Sequence, residues 1–298
     1  MIFGSGFFQS APVQVGLVVG SVVSVVSGVV GVFTVIRGQS FSGHGLADLG
    51  ATGGSGAFLI GVSQFWGFVA IAGVAAATIE LLGLRQPRGR DVATGVVLGA
   101  GLGLAALFLY LDTTVSHSTG APITILFGSI FAIDSRLVPI IVGLSVASLA
   151  IVLLFYRMLL FSSLSSDMAA ARGVPVRLVG IGYLVALALA VALSAMTIGA
   201  VLSTALLIGP AACALRLTRR PGWALALAAL IGVLVTWISV VLAYNSYYWS
   251  PGGRAWPVSF FVVALIFSLY LLTQIPFANW RQRRSTQLVV GEIQSADG

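Results

Sequence analysis

Residues 13–36 read VQVGLVVGSVVSVVSGVVGVFTVI, and this stretch indicates the class of fold. It contains no charged residue, and its apolar side chains would cover every face of a helix. A helix needs about 20 mostly apolar residues to cross a bilayer, because the hydrocarbon core is roughly 30 Å thick. The stretch therefore predicts a transmembrane helix.

The rest of the chain has the same character. Hydrophobic residues make up 58% of the 298 residues and charged residues 8%, whereas a soluble domain carries about 25% charged residues. The mean hydropathy is +1.07. Further apolar runs cover residues 46–62, 64–84, 92–111, 137–156, 178–195, 198–217, 223–244 and 257–277. We expect an all-α integral membrane protein, a polytopic bundle of about nine transmembrane helices.

Two stretches complicate this count. Run 46–62 is rich in glycine and holds Asp48, so eight spans are the alternative, and residues 122–133 are too short to cross and predict a re-entrant or surface helix. We expect one transmembrane domain over residues 1–284, followed by a polar, disordered tail over residues 285–298.

The positive charges indicate orientation. The chain has no lysine, its formal net charge is +7, and its arginines lie in short segments between apolar runs. With the N-terminus outside and the C-terminus in the cytoplasm, all arginines except Arg136 and Arg254 fall on the cytoplasmic side, as the positive-inside rule requires. This distribution argues for a multi-pass protein of the cell membrane and against a nucleic-acid partner.

His44 and Asp48 are the sharpest candidates for a site. They are four residues apart, so a helix places them on one face, where an imidazole and a carboxylate can bind a divalent transition metal. Two ligands suit a transient site better than a closed structural one. The alternative is a His/Asp pair that caps the start of a helix.

The other polar residues have different expected places. Asp112 and His117 are expected in a solvated external loop, and Glu80 is expected at the membrane interface. Asp134 is expected to cap or end the short helix.

Residues 162–177 predict a short helix in a cytoplasmic loop. Ser165 and Ser166 are candidates for the N-cap, and Asp167 suits the first turn of the helix. Gly173 is expected to end the helix, and Pro175 follows two residues later. A short, rigid helix between two spans can transmit force from a docked partner to both spans; an ordered loop is the alternative.

Two other classes of protein have to be considered. A secondary transporter would show two halves with matching broken helices, and no convincing internal repeat is present. The stretch Gly53-Gly54-Ser55-Gly56, with His117 as a base, resembles an intramembrane serine protease, although glycine-rich sequence also produces it by chance.

Four stretches resemble the membrane permeases of manganese, zinc and iron importers of the ATP-binding-cassette (ABC) class. Residues 41–48 read FSGHGLAD, residues 126–130 LFGSI, residues 167–175 DMAAARGVP, and residues 199–214 GAVLSTALLIGPAACA, which is the most specific of the four. The order of His44 and Asp48 differs from the family's commoner pattern. There the carboxylate comes four residues before the histidine, whereas here the histidine comes first. Both groups still share a face, but the preferred metal is less certain.

The resemblance implies a type II importer-like permease that is not itself an enzyme. Two copies would line a pathway for a divalent ion that is transported and not stably bound as a cofactor. A cytoplasmic ATPase would dock on the coupling helix, and an extracytoplasmic metal-binding protein would deliver zinc, manganese or iron. The chain lacks a phosphate-binding loop of its own. The implied metal residues are His44 and Asp48. The coupling residues are Asp167, Met168, Ala170, Arg172, Gly173 and Pro175, and the pathway or bending residues are Gly43, Gly199, Ser203 and Pro210.

Overall fold

The computed structural model describes residues 7–83, 90–115, 120–249 and 255–274, and this part of the chain is helical without strands. The first half forms five α-helices, with a 3-10 turn at Phe7–Gln9 before them. They are α1 (Ala11–Ile36), α2 (Ser40–Leu59), α3 (Gln64–Gly83), α4 (Arg90–Thr114) and the short α5 (Gly120–Phe127).

The second half begins with two 3-10 turns, Ile130–Ala132 and Ser135–Leu137, which lead from α5 into α6. Seven α-helices follow: α6 (Val138–Leu154), α7 (Tyr156–Leu164), α8 (Ser166–Ala171), α9 (Val176–Ile198), α10 (Ala200–Leu217), α11 (Pro221–Trp249) and α12 (Val258–Gln274).

Each of the nine predicted runs coincides with a long helix in the described part of the chain. Five helical segments there are long and apolar enough to cross a bilayer, namely α1, the segment 135–154, α9, α10 and α11. The apolar parts of α3, α4 and α12 are shorter, and the glycine-rich α2 has the length for a crossing but not the apolar character. The all-helical membrane fold is thus confirmed, while the number of crossings stays a prediction.

Helices α1 and α9 form the centre of the bundle. Helix α1 packs against α6, α9, α10 and α11, while α9 packs against α3, α6, α10 and α2. Helices α2, α3 and α4 form one flank, and α10, α11 and α12 form the other.

Glycines let these helices approach closely. A Cβ atom at Gly31 of α1 would overlap the carbonyl oxygen of Leu207 in α10, and one at Gly28 would lie 2.8 Å from the carbonyl oxygen of Ala228 in α11. Gly53 of α2 and Gly67 of α3 meet in the same way, each with the other's carbonyl oxygen. Small residues at helix crossings are what membrane helices use to gain packing contacts.

Side-chain hydrogen bonds add to these crossings. The hydroxyls of Ser24 in α1 and Thr236 in α11 lie 2.6 Å apart, and the indole of Trp237 donates to the Ser21 hydroxyl at 2.6 Å. On the other flank, the Thr52 hydroxyl donates to the carbonyl of Gly101 in α4 at 2.8 Å. Such bonds contribute about 0.6 kcal/mol on average in a membrane protein.

The end of α5 touches the break between α9 and α10. Gly128 has φ +72°, and a Cβ atom there would collide with the backbone of Ile198 and Gly199. Gly199 itself has φ 92° and ψ 154°, a conformation essentially restricted to glycine, and its own Cβ position is filled by the backbone of Leu126 and Phe127. The short helix is therefore fixed to the α9–α10 turn through two backbones.

Two acidic residues differ from their predicted places. Asp112 lies within α4 and is fully buried, because it falls on the stripe of α4 that faces α2 and also includes Leu98, Gly101 and Phe108. Asp134 does not end the short helix; its carboxylate accepts from the backbone N–H of Arg136 at 2.9 Å and caps the next turn. His117, the side chain of Glu80 and the tail from residue 275 onward lie outside the described residues.

We expect Gly31→Ala to lower the thermal stability of the purified protein by about 1–3 kcal/mol, because the added methyl group must push α10 away from α1. Gly103→Ala is the matched control, since a Cβ atom at this exposed helical glycine meets nothing within 4 Å. Thermal unfolding in detergent measures both, and equal melting temperatures would contradict the close crossing.

Candidate metal site and docking helix

His44 and Asp48 share one face of α2, as their spacing predicts. The imidazole Nε2 of His44 lies 3.5 Å from the carboxylate Oδ2 of Asp48. The His44 side chain is 47% exposed and the Asp48 side chain 11% exposed. Both lie within the helix, since α2 begins at Ser40, so the pair does not cap its start. The arrangement is a half-open pair of ligands with Asp48 as its deeper member.

The neighbours of α2 show which direction the pair faces. A Cβ atom at Gly43 would meet Leu207 of α10 at 3.0 Å, and one at Gly45 would meet Leu98 of α4 at 2.8 Å. At about 100° per residue, His44 and Asp48 fall between these two contacts. Gly53, which touches α3, is nine residues from His44 and lies about half a turn away. The pair thus faces the sector between α4 and α10, opposite to α3.

One chain offers an incomplete coordination shell. Within the described residues, no group of three or more His, Cys, Asp or Glu side chains could hold a metal ion together. A nitrogen and a carboxylate oxygen suit manganese, zinc and ferrous iron alike. Within the described residues the pair alone would contact an ion, so it could bind the ion without enclosing it.

The four predicted pathway residues have different surroundings. Gly43 packs against α10, and Gly199 forms the sharp break before that helix. The Ser203 hydroxyl is buried and donates to the carbonyl of Ala200 at 2.8 Å, so it is occupied within its own helix. Pro210 is buried inside α10, where it cannot donate to the carbonyl four residues earlier.

Helix packing accounts for the glycines around Ser55. The buried Ser55 hydroxyl donates to the carbonyls of Ala51 and Thr52, at 2.9 and 3.2 Å. Gly53 and Gly54 face Gly67 and the Phe68 ring of α3. Ser55 is thus enclosed in a helix crossing and does not present a nucleophile.

The predicted capped helix is α8. The backbone N–H of Met168 donates to the Ser165 hydroxyl at 3.3 Å, and Asp167 lies in the first turn. Gly173 has φ +79° and ends the helix. Ala169 is fully buried against the bundle, while the six residues predicted for docking are exposed, namely Asp167, Met168, Ala170, Arg172, Gly173 and Pro175.

A polar cluster that sequence reasoning missed joins this region to the metal pair. Arg37, directly after α1, donates to the Ser162 hydroxyl of α7 at 3.2 Å, and its guanidinium lies 5.1 Å from the centre of the Tyr183 ring in α9. The Tyr183 hydroxyl donates to Thr34 at 2.8 Å. Residues 38 and 39 then lead into α2, with Gly38 at φ +64°. The cluster links α7, which runs into α8, to the turn that carries α2.

Comparisons with known proteins agree with this architecture. The model of the ABC 3 transport family matches residues 9–272. The manganese transport system membrane protein MntC of Halalkalibacterium halodurans is 32% identical over 222 residues, which cover 74% of this chain and 75% of that protein. The high-affinity zinc uptake system membrane protein ZnuB of Haemophilus influenzae is 27% identical, covering 74% of this chain and 85% of that protein.

A solved structure, PsaBC from Streptococcus pneumoniae in complex with Fab, contains a similar chain. The TM-score is 0.79 at 25% sequence identity, and the match covers 94% of this chain and 97% of that one.

We expect Ser165→Ala to loosen α8, because loss of an N-cap hydroxyl costs about 1 kcal/mol. Amide hydrogen exchange at Met168, read by mass spectrometry, should become roughly fivefold faster. Ser163→Ala is the control, since the Ser163 hydroxyl donates to the Leu159 carbonyl within α7 and takes no part in the cap of α8. Equal exchange in the two variants would exclude the cap.

Proposed function

The chain belongs to the ABC 3 transport family, and we propose that it is the membrane permease of an ATP-driven importer for a divalent transition metal ion, manganese or zinc. The observation that carries the choice of cargo is the His44–Asp48 pair, which faces the sector between α4 and α10. The names of the relatives, transport proteins for manganese and for zinc, support the same class of ion.

The incompleteness of the pair suits transport. An ion must bind well enough to enter and weakly enough to leave, and a closed four-ligand site would hold it. We propose that two copies of the chain face each other across this sector, so that the ion passes between two His44–Asp48 pairs. Each copy then replaces part of the hydration shell, and the half-exposed imidazole of His44 releases the ion towards the side of α1's C-terminus.

The exposed face of α8 is the proposed dock for a cytoplasmic ATPase subunit. Its Ala169 is anchored in the bundle, so force applied at Met168 or Arg172 reaches α7 and α9. The Arg37 cluster offers a path from α7 to the start of α2. A metal-binding protein would deliver the ion at the opposite end.

Arginine placement supports an N-terminus outside the cell. Arg37 contacts α7, and Arg216 donates to Gln274 of α12 at 2.7 Å, so the C-terminal ends of α1 and α10 carry positive charge at the end of the bundle where α8 lies. Arg136 is at the other end, directly before α6. Under the positive-inside rule this distribution supports a cytoplasmic α8.

We expect Asp48→Asn and His44→Gln each to reduce uptake of radiolabelled manganese or zinc by about tenfold or more, the effect of losing roughly 1.4 kcal/mol of ion binding. Both substitutions keep the size of the side chain, and neither touches α8. Uptake is measured in cells that express the chain with its ATPase at matched membrane levels.

Ser55→Ala serves as the control, because its hydroxyl is bonded only within α2, and its uptake should equal that of the wild type. Normal uptake by both site variants would refute the metal pathway, and the ion whose uptake collapses is the cargo.

Met168→Asp places a charge on the exposed face of α8 and should abolish both co-purification of the ATPase and uptake. Met168→Leu keeps the surface apolar and should retain both. Retention of the ATPase by Met168→Asp would show that the subunit docks elsewhere.

A further inference from the structure

An apolar groove runs between α3 and α9 on the outside of the bundle. Its walls include Val69, Gly73 and Ala77 from α3 and Ile181, Val185 and Leu189 from α9. A Cβ atom at Gly73 would meet nothing within 4 Å, so the groove is open at its middle. Its polar end is formed by Arg177, in the first turn of α9.

The groove is separate from the metal pair. Helix α3 packs on the face of α2 opposite to His44 and Asp48, so two copies that meet across the metal pair leave the α3–α9 surface on the outside. In a bilayer this surface meets lipid, and side chains such as Val74 of α3 and Ile181 of α9 are exposed there.

The charge at the groove's end is uncompensated in the part of the chain that the structure describes. Arg177 is exposed and forms no ion pair with a described carboxylate, since the His44–Asp48 pair is the single one found there. It lies at the same end of the bundle as α8, which directly precedes α9 in the chain. A guanidinium binds phosphate oxygens well because its donors form a planar fork.

The dimensions fit one lipid chain. From Arg177 to Leu189 is twelve residues of α9, or about 18 Å. One leaflet contributes about half of the roughly 30 Å hydrocarbon core. A lipid acyl chain lying in the groove would span its leaflet, with the headgroup phosphate at Arg177.

We propose that the α3–α9 groove is a binding site for one anionic glycerophospholipid, whose phosphate pairs with Arg177 and whose acyl chain lies along Gly73. Basic pockets between membrane helices on the cytoplasmic side recognise anionic headgroups in this manner. Charge at one end and uninterrupted hydrocarbon beyond it match an amphiphile; a soluble anion would leave the apolar walls unused. Lipid binding here does not depend on which ion the chain transports.

The test uses the full chain, purified in detergent and stripped of lipid, with phosphatidylglycerol added back. Native mass spectrometry measures the bound lipid, and thermal unfolding measures the stabilisation that it gives. We expect phosphatidylglycerol to bind and to raise the melting temperature, phosphatidylcholine to bind less, and inorganic phosphate to have no effect. Arg177→Gln should weaken phosphatidylglycerol binding about fivefold. Gly73→Leu should block it by filling the groove.

Two matched variants separate the site from general effects. Arg219→Gln removes an exposed charge from the α10–α11 turn at the same end of the bundle, and Gly99→Leu adds the same side chain at another open helical glycine, on α4. Both should bind phosphatidylglycerol like the wild type. Equal binding by Arg177→Gln and Arg219→Gln, or by Gly73→Leu and Gly99→Leu, would overturn the site. A Gly73→Leu protein whose oligomeric state changes would instead assign the groove to a second copy of the chain.

Discussion

Lipid tails are as apolar as leucine side chains, so two membrane helices gain nothing from hiding hydrocarbon from their solvent. What holds this bundle together is close approach of backbones, supplemented by hydroxyl and indole hydrogen bonds. Gly28 and Gly31 bring α1 against α11 and α10, and Gly53 brings α2 against α3. Because α1 lies at the centre, these contacts set where α2 starts and hence where its polar face points. The His44–Asp48 pair is therefore positioned by glycines that lie at other helix crossings.

The packing of α2 gives the two side chains of the pair different exposure to solvent. Asp48 is held among α2's buried residues, whereas His44 is half exposed one turn nearer to the helix start. A buried carboxylate beside a half-exposed imidazole makes an uneven pair, and in the proposed metal site Asp48 would be the more enclosed ligand. The Arg37 cluster lies a few residues before them and connects α1, α7 and α9 without contacting the pair.

Sequence predicted what depends on local pattern. The long helices, the one-face geometry of His44 and Asp48 and the Ser165 cap all follow from spacing and propensity within a few residues. Contacts between distant segments could not be read in this way. Tyr183 bonds Thr34 across 149 positions, and nothing local to either residue indicates the partner. Asp112 was misplaced for the opposite reason, because its polar neighbours suggested a loop while its position on the stripe facing α2 decides its burial.

The contact between Gly128 and Gly199 has a consequence for how this family can change. The atoms nearest to a Cβ at either glycine are main-chain atoms of the other's segment, and both glycines have positive φ. A larger residue at one position therefore cannot be offset by a smaller one at the other, since neither has anything left to remove. Pairs of this kind produce no correlated substitutions. A method that infers contacts from covariation is blind to the joint between the short helix and the α9–α10 turn, although its two backbones touch.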